Sequence, residues 1–419
     1  MTPRRSGAGG VGAAAATAPP AVVLTPVVLT VAVLTVIGAA PAAYADTARD
    51  HEWPLRTLHA AQAWRTTRGE GTVVAVLDTG VDPGHPDLTG QVLPGRDMVG
   101  LGARPGDRVW ARHGTGMAAI IAGHGHGPGR TAGVLGIAPA ARILPVRVIL
   151  EDADPRRSQA RSRPGDTLAA GIRWAVDHGA DVINMSLGDD SAAAHADPGE
   201  YAAVQYALRH GVTLVASAGN GRRDGDRSSY PAAYPGVIAV AAVDRGGDPA
   251  GFSTRRWYTA VAAPGVDVVI ADPDRHYYEG WGTSAAAAYV SGVVALLHSA
   301  RPGLNPAQIR TVLEETAVDR PAGGRSDAVG AGLVDSVAAL AAAARLRPEP
   351  AVPHPAPHPA AEAGGSTRAA ASSTRSRTRV GGAWSDRVRI WAGAGLLLLA
   401  VVLRRRARGA LRPVSPAPR

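Results

Sequence analysis

Val73 to Leu77 is an uninterrupted apolar run (VVAVL) in a chain of 419 residues. A run of this kind is typical of a parallel strand that is buried on both faces, and such a strand needs helices on both sides of its sheet. The run ends at Asp78, so a carboxylate lies at the carboxyl edge of the strand, where open α/β sheets bind their ligands. The run therefore predicts a covered parallel sheet with a polar site at its edge.

Apolar runs and helical patterns alternate along the following residues. We predict strands at 142–149, 181–187, 212–217, 237–243 and 258–262, and helices at 167–178, 201–210, 285–299, 306–316 and 336–346. Strand and helix in repetition predict an α/β fold, a doubly wound parallel sheet with helices on both faces. The domain is expected at 72–347. It follows an N-terminal extension, 46–71, in which His51 to Arg68 has the spacing of an amphipathic surface helix.

Residues 1–45 have the pattern of an export signal. Arg4 and Arg5 precede the apolar run from Ala21 to Ala39, and Ala43-Tyr44-Ala45 fits the small-x-small cleavage pattern. The alternative is an uncleaved N-terminal anchor. The chain contains no cysteine, so disulfides, thiolate metal sites and thiol catalysis are excluded.

The composition changes after the last predicted helix. Residues 348–387 are first proline-rich and then rich in Gly, Ser and Arg, which is typical of a linker. Residues 388–404 contain an apolar run that predicts a single transmembrane anchor, and 405–419 form a basic tail. The positive-inside rule places the tail in the cytoplasm and the main domain on the extracellular side of the cell membrane. A terminal helix docked on the domain is the alternative.

The formal net charge of +9 comes from the C-terminal region. From Ser366 to the end there are 12 Arg and one acidic residue, Asp386. The remainder of the chain then holds 32 of the 44 basic residues and 34 of the 35 acidic ones. A body that is nearly neutral has no basic face for DNA or RNA, so we expect no nucleic-acid partner.

Ser284 lies in the stretch Gly280-Trp281-Gly282-Thr283-Ser284, followed by four alanines. Glycine favours a tight turn and alanine a helix, so the serine is predicted at a helix N-terminus. A nucleophilic serine benefits from that place, because the free N–H groups stabilise an oxyanion. A serine that only caps the helix is the alternative.

An activated serine needs a base, and the base needs a group that orients it. His113 opens a predicted helix of small residues (HGTGMAAIIAG), and Asp78 ends the first buried strand. The alternative role of His113 is a helix cap, and that of Asp78 is a turn residue at the end of the strand. The chain order Asp, His, Ser is one of the known orders of catalytic triads.

These blocks carry a resemblance to a known family. The chain resembles the subtilisin-family (subtilase) serine proteases through VAVLDTGVDPGHPDL, HGTGMAAIIAG, INMSLG, ASAGN and GTSAAAAYVSGVVALL. The resemblance implies a subtilisin-like fold, a triad of Asp78, His113 and Ser284, and an oxyanion-binding Asn220. It also implies that the Ser186-Leu187-Gly188 segment pairs with an extended peptide substrate, and it calls for no cofactor.

Within that family the chain is most similar to the mycosins, membrane-anchored subtilases associated with type VII secretion. The similarity rests on the HEWPLRTLHAAQAW lead-in, the proline-rich stalk and the basic-tailed anchor. It departs from the family at Ala285, where a methionine is usual. Asp87 matches a calcium position of secreted subtilisins, but the accompanying loop is missing, so we predict no metal site. The stretch with His124 and His126 is predicted as a mobile surface loop.

The leading hypothesis is a secreted, membrane-anchored serine endopeptidase that is mycosin-like and linked to type VII secretion. Its partners would be a protein or peptide substrate, the membrane and subunits of a secretion complex. Two alternatives stay open: a structural component of a secretion complex with little required proteolysis, and a peptide ligase that uses the same site.

Overall fold

A computed structural model describes residues 45–161 and 167–350, and the side chains from Ala48 onward. The predicted signal peptide, most of the predicted linker, the predicted anchor and the basic tail lie outside the described residues.

The strands form one large parallel sheet and two small antiparallel sheets in the described part of the chain. They are β1 (Val73–Asp78), β2 (Arg96–Asp97), β3 (His124–His126), β4 (Ala132–Leu135), β5 (Arg142–Arg147), β6 (Val182–Met185), β7 (Thr213–Ser217), β8 (Ile238–Val243), β9 (Thr259–Pro264), β10 (Val268–Ala271) and β11 (Tyr277–Gly280). The large sheet has the order β2-β5-β1-β6-β7-β8-β9, and β3–β4 and β10–β11 are hairpins. Because β1 lies in the interior of the large sheet, its carboxyl end is flanked by those of β5 and β6.

Helices cover both faces of the large sheet. They are α1 (Ala45–Asp50), α2 (Trp53–Thr57), α3 (Ala60–Ala63), α4 (Arg112–Ala122), α5 (Arg157–Arg161), α6 (Thr167–Asp177), α7 (Pro198–Arg209), α8 (Thr283–Ala300), α9 (Pro306–Glu315) and α10 (Ser336–Ala343). The α/β fold class predicted from the sequence, a doubly wound parallel sheet with helices on both faces, is therefore confirmed.

Strand β1 shows how the apolar pattern builds two cores. Val74 and Val76 belong to the core that contains α4 and α8. Ala75 and Leu77 point to the opposite face and pack with Ile172 of α6. Successive side chains of a strand point to opposite faces, so an unbroken apolar run fills both cores at once.

Short elements account for the differences between prediction and structure. The stretch predicted as a mobile loop around His124 and His126 is strand β3, paired with β4, and that prediction was wrong. His124 is buried, and its ring bonds the carbonyl oxygens of Gly125 and Thr89. Glycine-rich sequence favours a loop locally, but these long-range bonds fix the strand.

The N-terminal extension is part of the core rather than an appendage on the surface. Where one amphipathic helix was predicted, the structure has the short helices α2 and α3. Trp53 and Leu58 are buried in the main core, and Trp53 Nε1 donates to the carbonyl oxygen of Asp267. Trp64 Nε1 donates to the carbonyl oxygen of Ile137. These contacts tie the extension to both hairpin regions.

Among the described residues, one helix has the length and apolar composition that a membrane span requires. It is α8, which is largely buried and runs through the core of the domain. The finding therefore concerns a core helix, and the predicted anchor at 388–404 lies outside the described residues.

Candidate active site

The carboxyl end of β1 holds an Asp–His pair. The Asp78 carboxylate is fully buried, and its two oxygens lie 2.8 and 2.9 Å from His113 Nδ1. One of these oxygens also accepts a hydrogen bond from Thr79 N at 2.7 Å. The carboxylate is thereby fixed, and it holds the imidazole with Nδ1 toward itself, so that Nε2 lies on the opposite side of the ring.

The glycine after the histidine permits this close approach. A Cβ built on Gly114 would lie 2.0 Å from the Gly80 carbonyl oxygen and 3.1 Å from Asp78 Cβ. Only a residue without a side chain lets the first turn of α4 touch the end of β1 in this way. Gly114 N also donates to Thr79 Oγ1, which ties the helix start to the strand end.

Ser284 is the second residue of α8, as the sequence predicts. The residue before the helix, Gly282, has φ of 150°, a conformation that L side chains rarely adopt. Its N–H is bonded to the Gly265 carbonyl at 2.9 Å. This turn presents the serine at a helix N-terminus, where free N–H groups and the helix dipole favour negative charge.

The serine is held against the end of β6. Ser284 Oγ donates to the Ser186 carbonyl oxygen at 3.1 Å, and Ser186 Oγ donates to the Ser284 carbonyl oxygen at 2.8 Å. In this structure the serine hydroxyl is therefore bonded to backbone rather than to the imidazole.

Asn220 follows β7 and lies beside the serine. Its Oδ1 accepts bonds from Thr283 N at 3.0 Å and from Thr283 Oγ1 at 2.9 Å, so the amide oxygen is turned toward the helix start. The amide nitrogen then points the other way: a Cβ on Gly282 would lie 3.9 Å from Asn220 Nδ2 and 3.7 Å from Ser284 N. Both nitrogens therefore lie within 4 Å of one point, and Asn220 itself is exposed.

The Ser186-Leu187-Gly188 segment, predicted to pair with substrate, lies between the ends of β6 and β7. The carbonyl oxygen of Leu187 accepts a bond from Ser217 Oγ at 3.2 Å, which holds the segment against β7. Gly188 is exposed, and a Cβ built on it would lie 2.4 Å from Ser229 Oγ. Ser186 is buried and Leu187 is half-buried, so Gly188 is the accessible end of the segment.

Sequence reasoning missed Glu151. Its Oε1 accepts a bond from His113 N at 2.8 Å, so a second carboxylate lies near the imidazole. Burial by itself would lower the pKa of His113, but the charge and hydrogen bond of Asp78, together with the charges of Glu151 and Asp152, raise it to about 9. The signal was present, because Glu151 follows β5 and β5 is the neighbour of β1. The sequence does not reveal that β5 lies beside β1, so the position of Glu151 near His113 could not be predicted.

Asp87, the residue at the family's calcium position, already has its partners within the protein. Its oxygens lie 2.6 Å from His126 Nδ1, 2.8 Å from Tyr277 Oη and 3.0 Å from Val134 N. Three neighbours that carry N–H or O–H groups leave little room for a cation beside this carboxylate. In the described region no group of three or more His, Asp or Glu side chains is arranged to bind a metal ion. The residues present do not fit a calcium ion.

A parallel doubly wound sheet with an Asp–His pair at its carboxyl edge, and a serine that opens the helix packed across it, defines a class of α/β serine hydrolases. The family model of the subtilases (Peptidase_S8) matches residues 69–332. The chain belongs to the subtilase family.

Relatives of known sequence agree with this assignment. Fervidolysin from Fervidobacterium pennivorans is 39% identical over 323 residues, which are 71% of this chain and 44% of fervidolysin. Thermitase from Thermoactinomyces vulgaris is 37% identical over 260 residues, which are 62% of this chain and 86% of thermitase. The chain thus spans less than half of the first relative and most of the second.

Solved structures are similar as well. MycP1 from Mycobacterium smegmatis has a TM-score of 0.61 and 31% identity, with 76% of this chain and 90% of that one covered. MycP3, a protease from the type VII (ESX-3) secretion system, has a TM-score of 0.57 and 33% identity, with 69% of this chain and 87% of MycP3 covered. These neighbours support the resemblance to mycosins that the sequence suggested.

Proposed function

We propose that this protein is a serine endopeptidase that hydrolyses peptide bonds through an acyl-enzyme intermediate. His113 Nε2 takes the proton from Ser284 Oγ as the serine attacks the scissile carbonyl, and Asp78 stabilises the imidazolium that forms. The Ser284 N–H and Asn220 Nδ2 donate to the oxyanion. His113 then gives the proton to the leaving amine, and water resolves the ester in the reverse sequence of steps.

One observation carries this proposal. The Asn220 carboxamide is oriented by its two bonds from Thr283, and its Nδ2 and the Ser284 nitrogen both lie within 4 Å of the Cβ position of Gly282. A serine that only capped a helix would not need a side-chain donor turned toward it from another strand. Together with the buried Asp78 carboxylate on His113 Nδ1, this arrangement favours catalysis over capping.

The test is covalent labelling with a fluorophosphonate probe. The wild-type protein is expected to be labelled, and Ser284→Ala is expected to lose the label while it keeps its thermal unfolding transition. Ser299→Ala is the matched control, because that serine lies on the same helix but its hydroxyl bonds the Glu70 carbonyl oxygen. Equal labelling of Ser284→Ala and wild type would refute the assignment of the nucleophile.

We further propose that the protease is mycosin-like, linked to type VII secretion and anchored in the cell membrane by residues 388–404, with its domain on the extracellular side. The similarity to MycP1 and MycP3, and the apolar run with its basic tail, support this. Fractionation with protease protection of intact cells tests it: the domain should be membrane-bound and digested from outside. Release of the domain in soluble form, or protection from added protease, would contradict it.

A structural role in a secretion complex is the second candidate, because the similar MycP3 protease comes from the type VII (ESX-3) secretion system. Complementation separates the two. If Ser284→Ala, expressed at the wild-type level, restores secretion fully, the required role is structural. If it fails while Ser299→Ala succeeds, the peptidase activity is required.

A further inference from the structure

A cavity of about 960 Å³ lies beside the start of α4. Its walls come from the turn after β1 (80–83), the segment that ends in β2 (92–97), the loop before α4 (104–112) and the tip of the β10–β11 hairpin (272–274). Sites that bind drug-sized ligands have volumes of about 300–1,000 Å³, so this cavity can hold far more than a single ion. No member of the candidate catalytic site lines it, so the peptidase mechanism leaves it unexplained.

Contacts within the protein fix the walls of the cavity. Arg112 Nη2 forms an ion pair with Asp272 Oδ2, which ties the loop before α4 to the tip of the hairpin. In that loop Asp107 Oδ2 accepts a hydrogen bond from Arg104 N at 2.7 Å. Trp110 N donates to the Asp107 carbonyl oxygen at 3.0 Å. Because these bonds exist without a ligand, the cavity is preformed and a ligand does not have to order it.

The aspartates that line the cavity have partners within the protein. Asp97 pairs with Arg147 at 3.2 Å, and Asp272 pairs with Arg112. The remaining three each accept a hydrogen bond from a backbone N–H group: Asp82 from Gly84, Asp107 from Arg104 and Asp274 from His276. Since each carboxylate is stabilised by the protein itself, the aspartates do not call for a cationic ligand.

The arginines that line the cavity are less completely paired. In the described part of the chain, the guanidinium groups of Arg96, Arg104 and Arg108 have no hydrogen-bond or ion-pair partner, and all three residues are exposed. Arg147 is only 7% exposed, yet its Nε is buried without a hydrogen-bond partner. Residues 92–112 hold four arginines and two aspartates, although the body of the chain is nearly neutral. The excess of positive charge is therefore local, and it favours an anionic ligand.

The cavity adjoins the Asp–His pair of the candidate active site. Gly80 lines the cavity and follows Asp78 by two residues, and Arg112 lines it and directly precedes His113. An extended chain advances by about 3.5 Å per residue, so a short peptide reaches from one site to the other. A segment bound in the cavity and a scissile bond at Ser284 can then belong to the same polypeptide.

We propose that the cavity is an exosite, a second substrate-binding site, which takes an acidic segment of the polypeptide substrate. Carboxylates of the segment pair with Arg96, Arg104 and Arg108, because guanidinium and carboxylate groups form parallel hydrogen bonds. Its apolar side chains pack on Trp110 and on the prolines of the walls, which an inorganic anion would leave uncovered. This inference rests on the proposed function, because it takes the ligand to be part of a substrate that Ser284 cleaves.

The first experiment compares quenched fluorescent peptides that share one cleavable core, taken from a proteome-derived library. A Gly-Ser linker of about eight residues, with a mean span of about 16 Å, joins the core to Glu-Leu-Glu-Leu-Glu-Leu or to the neutral Gln-Leu-Gln-Leu-Gln-Leu. The extension precedes the core in one pair of peptides and follows it in the other. In at least one pair, the wild type is expected to have an about fivefold higher kcat/KM for the acidic peptide, the size of two exposed ion pairs.

Variants of the loop before α4 test the cavity itself. Arg104→Ala/Arg108→Ala is expected to bring the ratio of the two kcat/KM values close to one, and Arg104→Glu/Arg108→Glu to invert it in favour of the neutral peptide. The matched control is Arg56→Ala/Arg65→Ala, which removes the same charge from exposed residues of the N-terminal extension. Its ratio should equal that of the wild type. The basic tail is common to all these proteins, so differences between them report on the cavity.

The second experiment measures binding without cleavage. The acidic hexapeptide, labelled with fluorescein, is titrated with the Ser284→Ala protein and followed by fluorescence anisotropy. Its Kd should rise about fivefold when Arg104→Ala/Arg108→Ala is added, because the same two ion pairs are lost. It should also rise with salt concentration, since exposed charges are screened. An equal Kd for the two proteins would contradict the exosite.

The outcomes separate the exosite from the proposed function. If the wild type cleaves the acidic and neutral peptides equally well in both pairs, the exosite is wrong while the peptidase assignment stands. The same conclusion follows if Arg56→Ala/Arg65→Ala lowers the ratio as much as Arg104→Ala/Arg108→Ala does. If the wild type neither reacts with the fluorophosphonate probe nor cleaves the library, both proposals are overturned.

Discussion

Neutralising Glu151 should shift the pH dependence of catalysis toward lower pH. His113 acts as a base only when it is neutral, and its pKa is raised to about 9 by the carboxylates around it. The kcat/KM of the wild type should therefore rise with pH until about pH 9. Glu151→Gln keeps an acceptor for His113 N but removes a negative charge that stabilises the imidazolium. The pKa of the histidine then falls, and activity near neutral pH rises.

The size of the shift follows from Coulomb's law. Glu151 Oε1 is 2.8 Å from the His113 backbone nitrogen, which places its charge at a distance on the order of 6 Å from the imidazole. At that distance two unit charges interact by about 0.7 kcal/mol at a dielectric constant of about 80, and by about 1.4 kcal/mol at about 40. Since one pKa unit corresponds to about 1.36 kcal/mol, the shift should be about 0.5 to 1 unit.

The assay is kcat/KM for a quenched peptide between about pH 6 and pH 10.5, with the active-site concentration titrated by the fluorophosphonate probe. Asp152→Asn is the matched control. The Asp152 side chain is 93% exposed and pairs with Arg157 at 2.8 Å, so its removal should shift the profile less. A Glu151→Gln profile that coincides with the wild type, or moves to higher pH, would refute the electrostatic argument.

Two further predictions concern single side chains. Asn220→Ala should lower kcat by about 10²–10³ with little change in KM, the size known for the loss of one oxyanion donor, as measured in steady-state assays. Burial raises the pKa of Glu52 to about 8, against 4.5 for an ordinary glutamate, so the folded state keeps a proton that the unfolded state loses. The free energy of unfolding should therefore fall as the pH rises from 4.5 to about 8. In Glu52→Gln the Tm, measured by calorimetry, should fall less over the same pH range.

The parts of the site that were predictable from sequence are those determined locally. Asp78 could be placed because an apolar run must end at the sheet edge, and Ser284 because glycine followed by alanines begins a helix. The family blocks then grouped these residues with His113 and Asn220. The structure brings Asp78 and His113 together directly, and Ser284 and Asn220 together through Thr283.

The parts that were missed depend on contacts between distant segments. Glu151 matters because β5 lies beside β1, and sequence spacing does not reveal that neighbour. The β3–β4 hairpin was missed because glycine-rich sequence has little strand propensity by itself.

Side chains of the N-terminal extension hold the β3–β4 hairpin in place. The Arg49 guanidinium donates to the carbonyl oxygens of Gly133 at 3.0 Å and Arg130 at 2.5 Å, so the chain supplies a cation to the loop between β3 and β4. The Glu52 carboxyl accepts from Leu135 N at 2.6 Å on the same hairpin. Residues 45–71 are then a structural element of the domain, since their hydrogen bonds join them to both hairpins and to the core.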